Sequence, residues 1–243
     1  MWTPTALASE VCHTSEEVWR VVEDQYAAAT RKLVDTKDEQ ALLEDILEES
    51  KPPVPQEAKT FHYLLQTPFR YDAPYPEGSR FRRAGSTEGV FYASVAIRTA
   101  LAELCYYRYQ FFADSPGTAL PRHQERLTVF SVPYSSDHVI DLTKPPFVEE
   151  RDTWMHPSDY QATQAFSDTA RQAGVEVVRY EAVRDVEPGI NVALLTPKVF
   201  QAKQPTSLQT WFLYLSPTEA NCERALGNAD EQWTFLRECL TVE

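Results

Sequence analysis

RYDAPYPEGSRFRRAGSTEGVFYASVAIRTALAELCYYRYQFF, residues 70–112, is where the chain is most unusual, and the rest reads outward from it. It holds three of the seven glycines (Gly78, Gly85 and Gly89) and the only tight arginine cluster, Arg80, Arg82 and Arg83. Gly89 to Ala93 has the apolar, aromatic character of a short strand. Ser94 then caps a predicted helix running to about Phe112. Within it Glu103 sits among Ala100, Leu101, Ala102, Leu104 and Cys105. A helix apolar around most of its circumference is normally buried, so this carboxylate must be paired, hydrogen-bonded or kept for function. Arg98 and Arg108 are at hand for a structural ion pair, and the spacing alone leaves both readings open.

The polar loop from Pro74 to Gly89 raises a related question. Guanidinium groups bind phosphate oxygens in pairs, and glycines let backbone approach a ligand; the alternative is a solvated basic turn. The loop is neither a P-loop nor a dinucleotide fingerprint, since it has no GxxxxGK[ST] and no GxGxxG after a strand. Tyr92, near the end of the strand, suits stacking on a flat ring or packing in the core.

Composition narrows the function classes. The chain has 243 residues, 43% of them hydrophobic, enough for one large domain or one domain with a small appendage. A net charge of −13 argues against general nucleic-acid binding and against docking on anionic membrane. An anionic ligand therefore needs a local basic pocket, and Arg80 to Arg83 is the candidate. The run Tyr106, Tyr107, Tyr109, Phe111 and Phe112 reads as core rather than as a base-stacking platform. Cys12, Cys105, Cys222 and Cys239 lie far apart, as reduced thiols of a cytosolic protein do. The five histidines show no metal-ligand spacing, so no metal is expected. No GxSxG elbow occurs, and no Cys/His pair has recognisable catalytic spacing. MWTPTALASE is not a secretory signal and no run is apolar enough to span a bilayer, which makes the cytoplasm the expected location.

Outside the opening segment, Thr14-Ser-Glu-Glu17 has capping-box form before Val18, Val22, Tyr26, Ala29 and Leu33. Thr36-Lys-Asp-Glu39 repeats the signal before Leu42, Leu43, Ile46 and Leu47. Residues 14–50 thus predict a helical hairpin, closed by the stiff connector Lys51-Pro-Pro-Val-Pro55, and 1–58 is expected to be a helical extension of a main domain at 59–243. Short strands are expected at His62–Leu65, Leu127–Tyr134, His138–Leu142, Val175–Tyr180, Asn191–Leu195 and Leu208–Leu215. Helices are expected from the box Ser158-Asp-Tyr-Gln161 to Gly174, and over much of Thr218–Leu240. Irregular interspersion of strands and helices, without βα alternation, predicts an α+β fold.

Four motifs in and bordering the opening segment, Phe69-Arg-Tyr71, Ser79-Arg-Phe-Arg82, Gly89-Val-Phe-Tyr-Ala-Ser94 and Thr99-Ala-Leu-Ala-Glu103, together resemble the RES domain. The resemblance runs from about Phe61 to Pro197, with a helical front end like that of a longer subfamily. It implies a mixed β-sheet with flanking helices, similar to NAD-dependent ADP-ribosylating toxins. It also implies an NAD-degrading toxin of a RES–Xre toxin–antitoxin pair, cleaving the nicotinamide–ribose bond by phosphorolysis or hydrolysis, with NAD as substrate and inorganic phosphate as a possible co-substrate. Protein ADP-ribosylation, or a catalytically silent binding protein, are the alternatives. Carried over, Glu103, Arg80 and Tyr92 would be catalytic, and Arg70, Arg82 and Asn191 would bind substrate. The motif serine falls at Ala182, a departure that takes a hydroxyl from that position. An Xre-type antitoxin is the implied partner, with a homodimer also allowed.

Overall fold

The computed structural model describes residues 2–24, 33–70, 78–227 and 231–240. Its organising element is β3, Glu125–Asp141, a strand of 17 residues. One edge of β3 pairs antiparallel with β1, Cys12–Glu23, from Leu127 to Val139. The other edge is divided. Its first half pairs antiparallel with β6, Ser207–Leu215, and its end pairs parallel with β4, Val177–Glu181. From β4 the sheet continues through β5, Ile190–Leu194, and β2, Phe91–Ser94, back to β1, where Trp19 meets Ser94. From β6 it continues to β7, Glu219–Arg224, and β8, Gln232–Leu236. The predicted α+β class, a mixed sheet with flanking helices, is what is found.

Three apolar clusters hold these parts together. Phe91, Phe130 and Phe200 meet edge to face inside the closed part of the sheet, the Phe91 and Phe200 centroids 5.1 Å apart. Phe166 and Ala170 of α6, Gln161–Gln172, pack with Leu7 of α1, Pro4–Ser9, and with Phe147 and Trp154 on the far side. Leu101, Ala102, Cys105 and Tyr109 of α4, Ile97–Asp114, pack on Leu127, Trp211 and Leu213. Each fully buried Leu or Phe among them contributes about 1.5–3 kcal/mol.

Several sequence expectations are corrected. Residues 12–23 are a strand, not the first helix of a hairpin: Val18, Val21 and Val22 are β-branched, and β3 offers them a long pairing edge. Tyr26 and Ala29 lie outside the described residues. The second expected helix does form, as α2, Lys37–Glu49, with the Thr36–Glu39 capping box complete. The turn expected at 135–137 is absorbed into β3, because Ser15 and Thr14 continue the ladder opposite Ser135 and Ser136. His62–Leu65 begins a helical turn, α3, Tyr63–Gln66, with the His62 ring accepting from the Leu64 N–H. The helical tail is instead β7 and β8, with only α7, Arg237–Leu240, helical. There Ala220 and Cys222 are buried at period 2, and only two inward residues in six gave the sequence little alternation to read.

Candidate active site

Ala100, Glu103, Leu104 and Tyr107 repeat at i, i+3, i+4 and i+7, so they form one stripe of α4. The stripe at Leu101, Ala102, Cys105 and Tyr109 is committed to the core, which turns the first stripe toward a cleft of about 560 Å³. β2 and β5 supply the cleft's back: Tyr92 and Ser94, two residues apart, share a side of β2, and Ser94 stands directly opposite Asn191. Ser79, Arg80 and Arg82 come from the glycine-containing loop, Trp19 and Arg20 from β1, and Tyr160, Tyr180 and Arg184 close the far side. Among the described residues the cleft is lined by four arginines against one carboxylate, opposite in sign to the chain's net charge.

Glu103 has no structural ion-pair partner on its helix. Arg98 is committed to Asp185, and Arg108 to Glu125 and Glu23. Instead the Asn191 side-chain amide donates to Glu103 Oε1 at 2.6 Å, and the Ser94 hydroxyl donates to Asn191 Oδ1 at 2.6 Å. Ser94 therefore does not cap α4; the N-cap is Ala96, without a side-chain bond. Burial pushes the Glu103 carboxyl above its ordinary range, while the Asn191 hydrogen bond and the charges of Arg80 and Arg184 pull the other way.

Arg80 is buried, and its direction is fixed. Nη1 donates to the Trp154 carbonyl at 2.5 Å and Nη2 to the His156 carbonyl at 3.0 Å, with the guanidinium 4.7 Å from the Tyr160 ring centroid. Those two bonds use two of its five N–H donors. The turn that carries it is closed by two backbone bonds between Ser79 and Arg82, and Ser167 Oγ donates to the Phe81 carbonyl. Tyr92 is part of this support. Its hydroxyl accepts from the Phe81 N–H at 2.9 Å and shares a 2.8 Å hydrogen bond with Ser79 Oγ, which leaves the ring as its surface toward the cleft. Burial raises the Tyr92 phenol further above neutrality, so it stays protonated.

The loop glycines serve the chain itself. A Cβ on Gly89 would lie 2.3 Å from the Pro68 carbonyl oxygen, and one on Gly78 would lie 2.9 Å from the Arg82 carbonyl oxygen. Arg82 is buried and lines the cleft, as expected. Arg70 does not line it: its guanidinium pairs with Glu48 of α2 at 2.6 Å. Tyr71 and residues 74–77 lie outside the described residues. Ala182 is buried just past β4, its N–H donating to the Gly189 carbonyl, and the hydroxyl that bonds the Asn191 side chain is that of Ser94.

Ser94, Arg20 and Arg184 were not legible as site residues. Ser94 carried a helix-cap signal. Arg20 lay in an apparent helix, yet in β1 its Nη1 donates to the Tyr92 carbonyl at 2.5 Å. Arg184 had no local signal at all. It reaches the cleft because the neighbouring Asp185 binds both Arg98 and Thr99 at the start of α4.

A family model, the RES domain, matches residues 54–216, which span every lining residue named above except Trp19 and Arg20. No curated protein matches the chain. Among solved structures the chain is similar to the crystal structure of the M. tuberculosis MbcT–MbcA toxin–antitoxin complex. The identity is 16% over 85% of this chain and 91% of that chain, with a TM-score of 0.44. No described helix is long and apolar enough to cross a membrane.

Proposed function

The chain belongs to the RES domain family, and from that premise we propose that it is an NAD-consuming toxin that cleaves the nicotinamide–ribose bond. The observation that supports this reading is that Glu103 and Arg80 line one cleft: a carboxylate held by an amide, and a guanidinium fixed by backbone carbonyls. The Arg80 guanidinium, with Arg82 beside it, binds the pyrophosphate through paired N–H donors. The Tyr92 ring packs against the nicotinamide or its ribose, while its hydroxyl keeps the Arg80 turn closed.

Cleavage moves the C1–N bond pair onto the pyridinium nitrogen, which discharges that ring and leaves positive charge on the anomeric carbon and ring oxygen. Charge of this kind also develops in glycoside hydrolysis, where a carboxylate stabilises it. Glu103 supplies that carboxylate, and Asn191 and Ser94 hold it in place before charge appears, so little reorganisation is needed at the moment of reaction. Water or phosphate then bonds to C1, giving ADP-ribose or ADP-ribose 1-phosphate together with free nicotinamide. A toxin of this kind needs a neutralising protein partner that closes the cleft. An antitoxin of the Xre type and homodimer formation belong to the same reading.

The test is incubation of the full chain with NAD, with and without phosphate, followed by chromatography of nicotinamide. Stoichiometric nicotinamide release is expected. Absence of both turnover and NAD binding in the partner-free protein would overturn the proposal.

A further inference from the structure

Among the described strands β8 has a single neighbour, β7, and forms the open edge of the sheet; at the other end of the strand order β1 is closed by its second pairing, with β3. The ladder tells which backbone groups of β8 are in use. The Arg224 N–H donates to the Glu231 carbonyl, and the Arg237 N–H to the Thr218 carbonyl. Hydrogen-bonded positions alternate along an antiparallel pair, so Trp233 and Phe235 also turn their N–H and C=O toward β7. Those of Gln232, Thr234 and Leu236 point the other way, and no backbone bond among the described residues reaches them. An unpaired edge is a template for another strand, and proteins that guard against this place proline, lysine or a bulge there. Gln-Trp-Thr-Phe-Leu carries neither residue, and its register with β7 is unbroken.

The edge is also held rigid. Trp233 stacks on Trp211, with centroids 5.1 Å apart and planes within 9°. Phe235 is buried, with the Arg98 guanidinium 5.5 Å from its ring centroid. On the outer face the Thr234 hydroxyl donates to Asn221 Oδ1 at 2.6 Å. A strand fixed in this way loses little freedom when a partner pairs with it. Its flanks favour a second copy of this chain, and they set the direction. Glu231 lies just before the strand and Arg237 just after it. Antiparallel pairing of two β8 strands about Thr234 sets Glu231 of each chain opposite Arg237 of the other, whereas a parallel pair would set like charges side by side. The same register makes Thr234 face Thr234 and Gln232 face Leu236. These are the positions with outward backbone groups, so each facing pair exchanges two N–H···O=C bonds.

We propose that β8 is a homodimer interface, at which two copies of the chain join their sheets edge to edge, antiparallel and two-fold symmetric about Thr234. The contact is isologous, so it closes on itself and does not propagate into a fibre. It takes no residue that lines the cleft, since none of those lies on β6, β7 or β8. A five-residue edge is at the small end of specific interfaces, so the dimer should be reversible, with a Kd on the order of micromolar. This gives the homodimer of the proposed function a definite surface, and it does not depend on the NAD chemistry.

Sedimentation equilibrium of the full chain across the micromolar range tests the interface. The native protein should pass from monomer to dimer as concentration rises. Thr234→Pro deletes an outward N–H and leaves the β7 ladder intact, as proline on an edge strand can. It should stay folded by circular dichroism while the dimer Kd rises about tenfold or more, two central backbone bonds being lost. Should that variant fail to fold, the exposed Thr234 side chain gives a second test. Thr234→Lys and Thr234→Glu each set like charges face to face across the two-fold axis, so each alone should be monomeric. An equimolar mixture of the two should recover the dimer, a result that only Thr234 facing Thr234 produces. A native chain that stays monomeric overturns the inference, including one whose β8 takes up an extended segment of a different protein. So does a dimer indifferent to Thr234→Pro, or a Lys/Glu mixture no more dimeric than its components. A monomer that releases nicotinamide from NAD would overturn the interface alone, and a dimer without release would overturn the NAD reading alone.

Discussion

Glu103→Gln removes a charge while leaving the shape of the site nearly intact. The glutamine Oε1 can still accept from the Asn191 amide, the one hydrogen bond that Glu103 makes to a described neighbour. What is lost is the attraction between a carboxylate and positive charge developing at the anomeric carbon. For unit charges at about 4 Å with an effective dielectric constant of about 20, that attraction is about 4 kcal/mol. The transition state carries only part of a full charge, so kcat should fall by about 10²–10³-fold, the usual cost of losing one preorganised electrostatic contact. KM for NAD should change much less because, in the proposed function, the dinucleotide is held mainly at Arg80. Stability should move the opposite way. Burial raises the Glu103 pKa above its ordinary 4.5, so the folded chain holds that proton more tightly than the unfolded chain. That stabilisation is complete below the unfolded pKa and is lost as pH rises through the folded one, so at pH 7.5 the ionised carboxylate is a burden. Glu103→Gln should therefore melt at a higher temperature than the native protein at pH 7.5, the gap closing toward pH 4. Nicotinamide release and calorimetry at the two pH values read both effects. A lower Tm at pH 7.5 with kcat reduced less than tenfold would show Glu103 to be a structural group and refute the reasoning.

Other substitutions probe the supports of the site. Ser94→Ala leaves Asn191 Oδ1 without its hydroxyl donor, so the amide is less firmly aimed at Glu103; kcat should drop about tenfold and its acid limb move to higher pH, whereas an unchanged pH–rate profile would remove Ser94 from the positioning chain. Tyr92→Phe strands the Phe81 N–H and Ser79 hydroxyl, at about 1–3 kcal/mol, and should loosen the Arg80 turn. KM for NAD should then rise more than kcat falls in steady-state assays, and the reverse split would count against the support role. Gly89→Ala forces a Cβ to within 2.3 Å of the Pro68 carbonyl oxygen and 2.4 Å of Phe69 Cα, both backbone atoms that cannot swing aside. A loss of about 1–3 kcal/mol or more is expected in urea unfolding, and native stability would contradict the close approach.

Much of the site was legible because its residues lie within a short stretch whose local chemistry is unusual. Glu103 is conspicuous in an apolar helix, and the loop arginines are conspicuous in an acidic chain. Their motif order carried the family. Local signals went wrong where two readings share the same residues. The capping-box form at Thr14 to Glu17 was read as a helix start, although the valines after it suit a strand equally well, and β3 decided the matter by offering a pairing edge. The loop glycines looked like places for a ligand, but Gly78 and Gly89 make room for the chain's own backbone. Arg70 was expected at the substrate, and an ion pair with Glu48 holds it elsewhere.

By itself the sequence brought out the fold class from its composition and periodicity, the family from the resemblance of its motifs, and Arg80, Tyr92 and Glu103 as candidates, because these are properties of short segments. Tertiary structure alone decided what those residues are tied to. Ser94 and Asn191 are 97 residues apart in the chain and opposite one another in the sheet. Arg184 shares the cleft with Glu103, and the neighbouring Asp185 is anchored to the start of α4. That Ser94 meets the amide holding the carboxylate cannot be read along the chain, since strand register, a non-local quantity, sets which residue stands opposite Asn191.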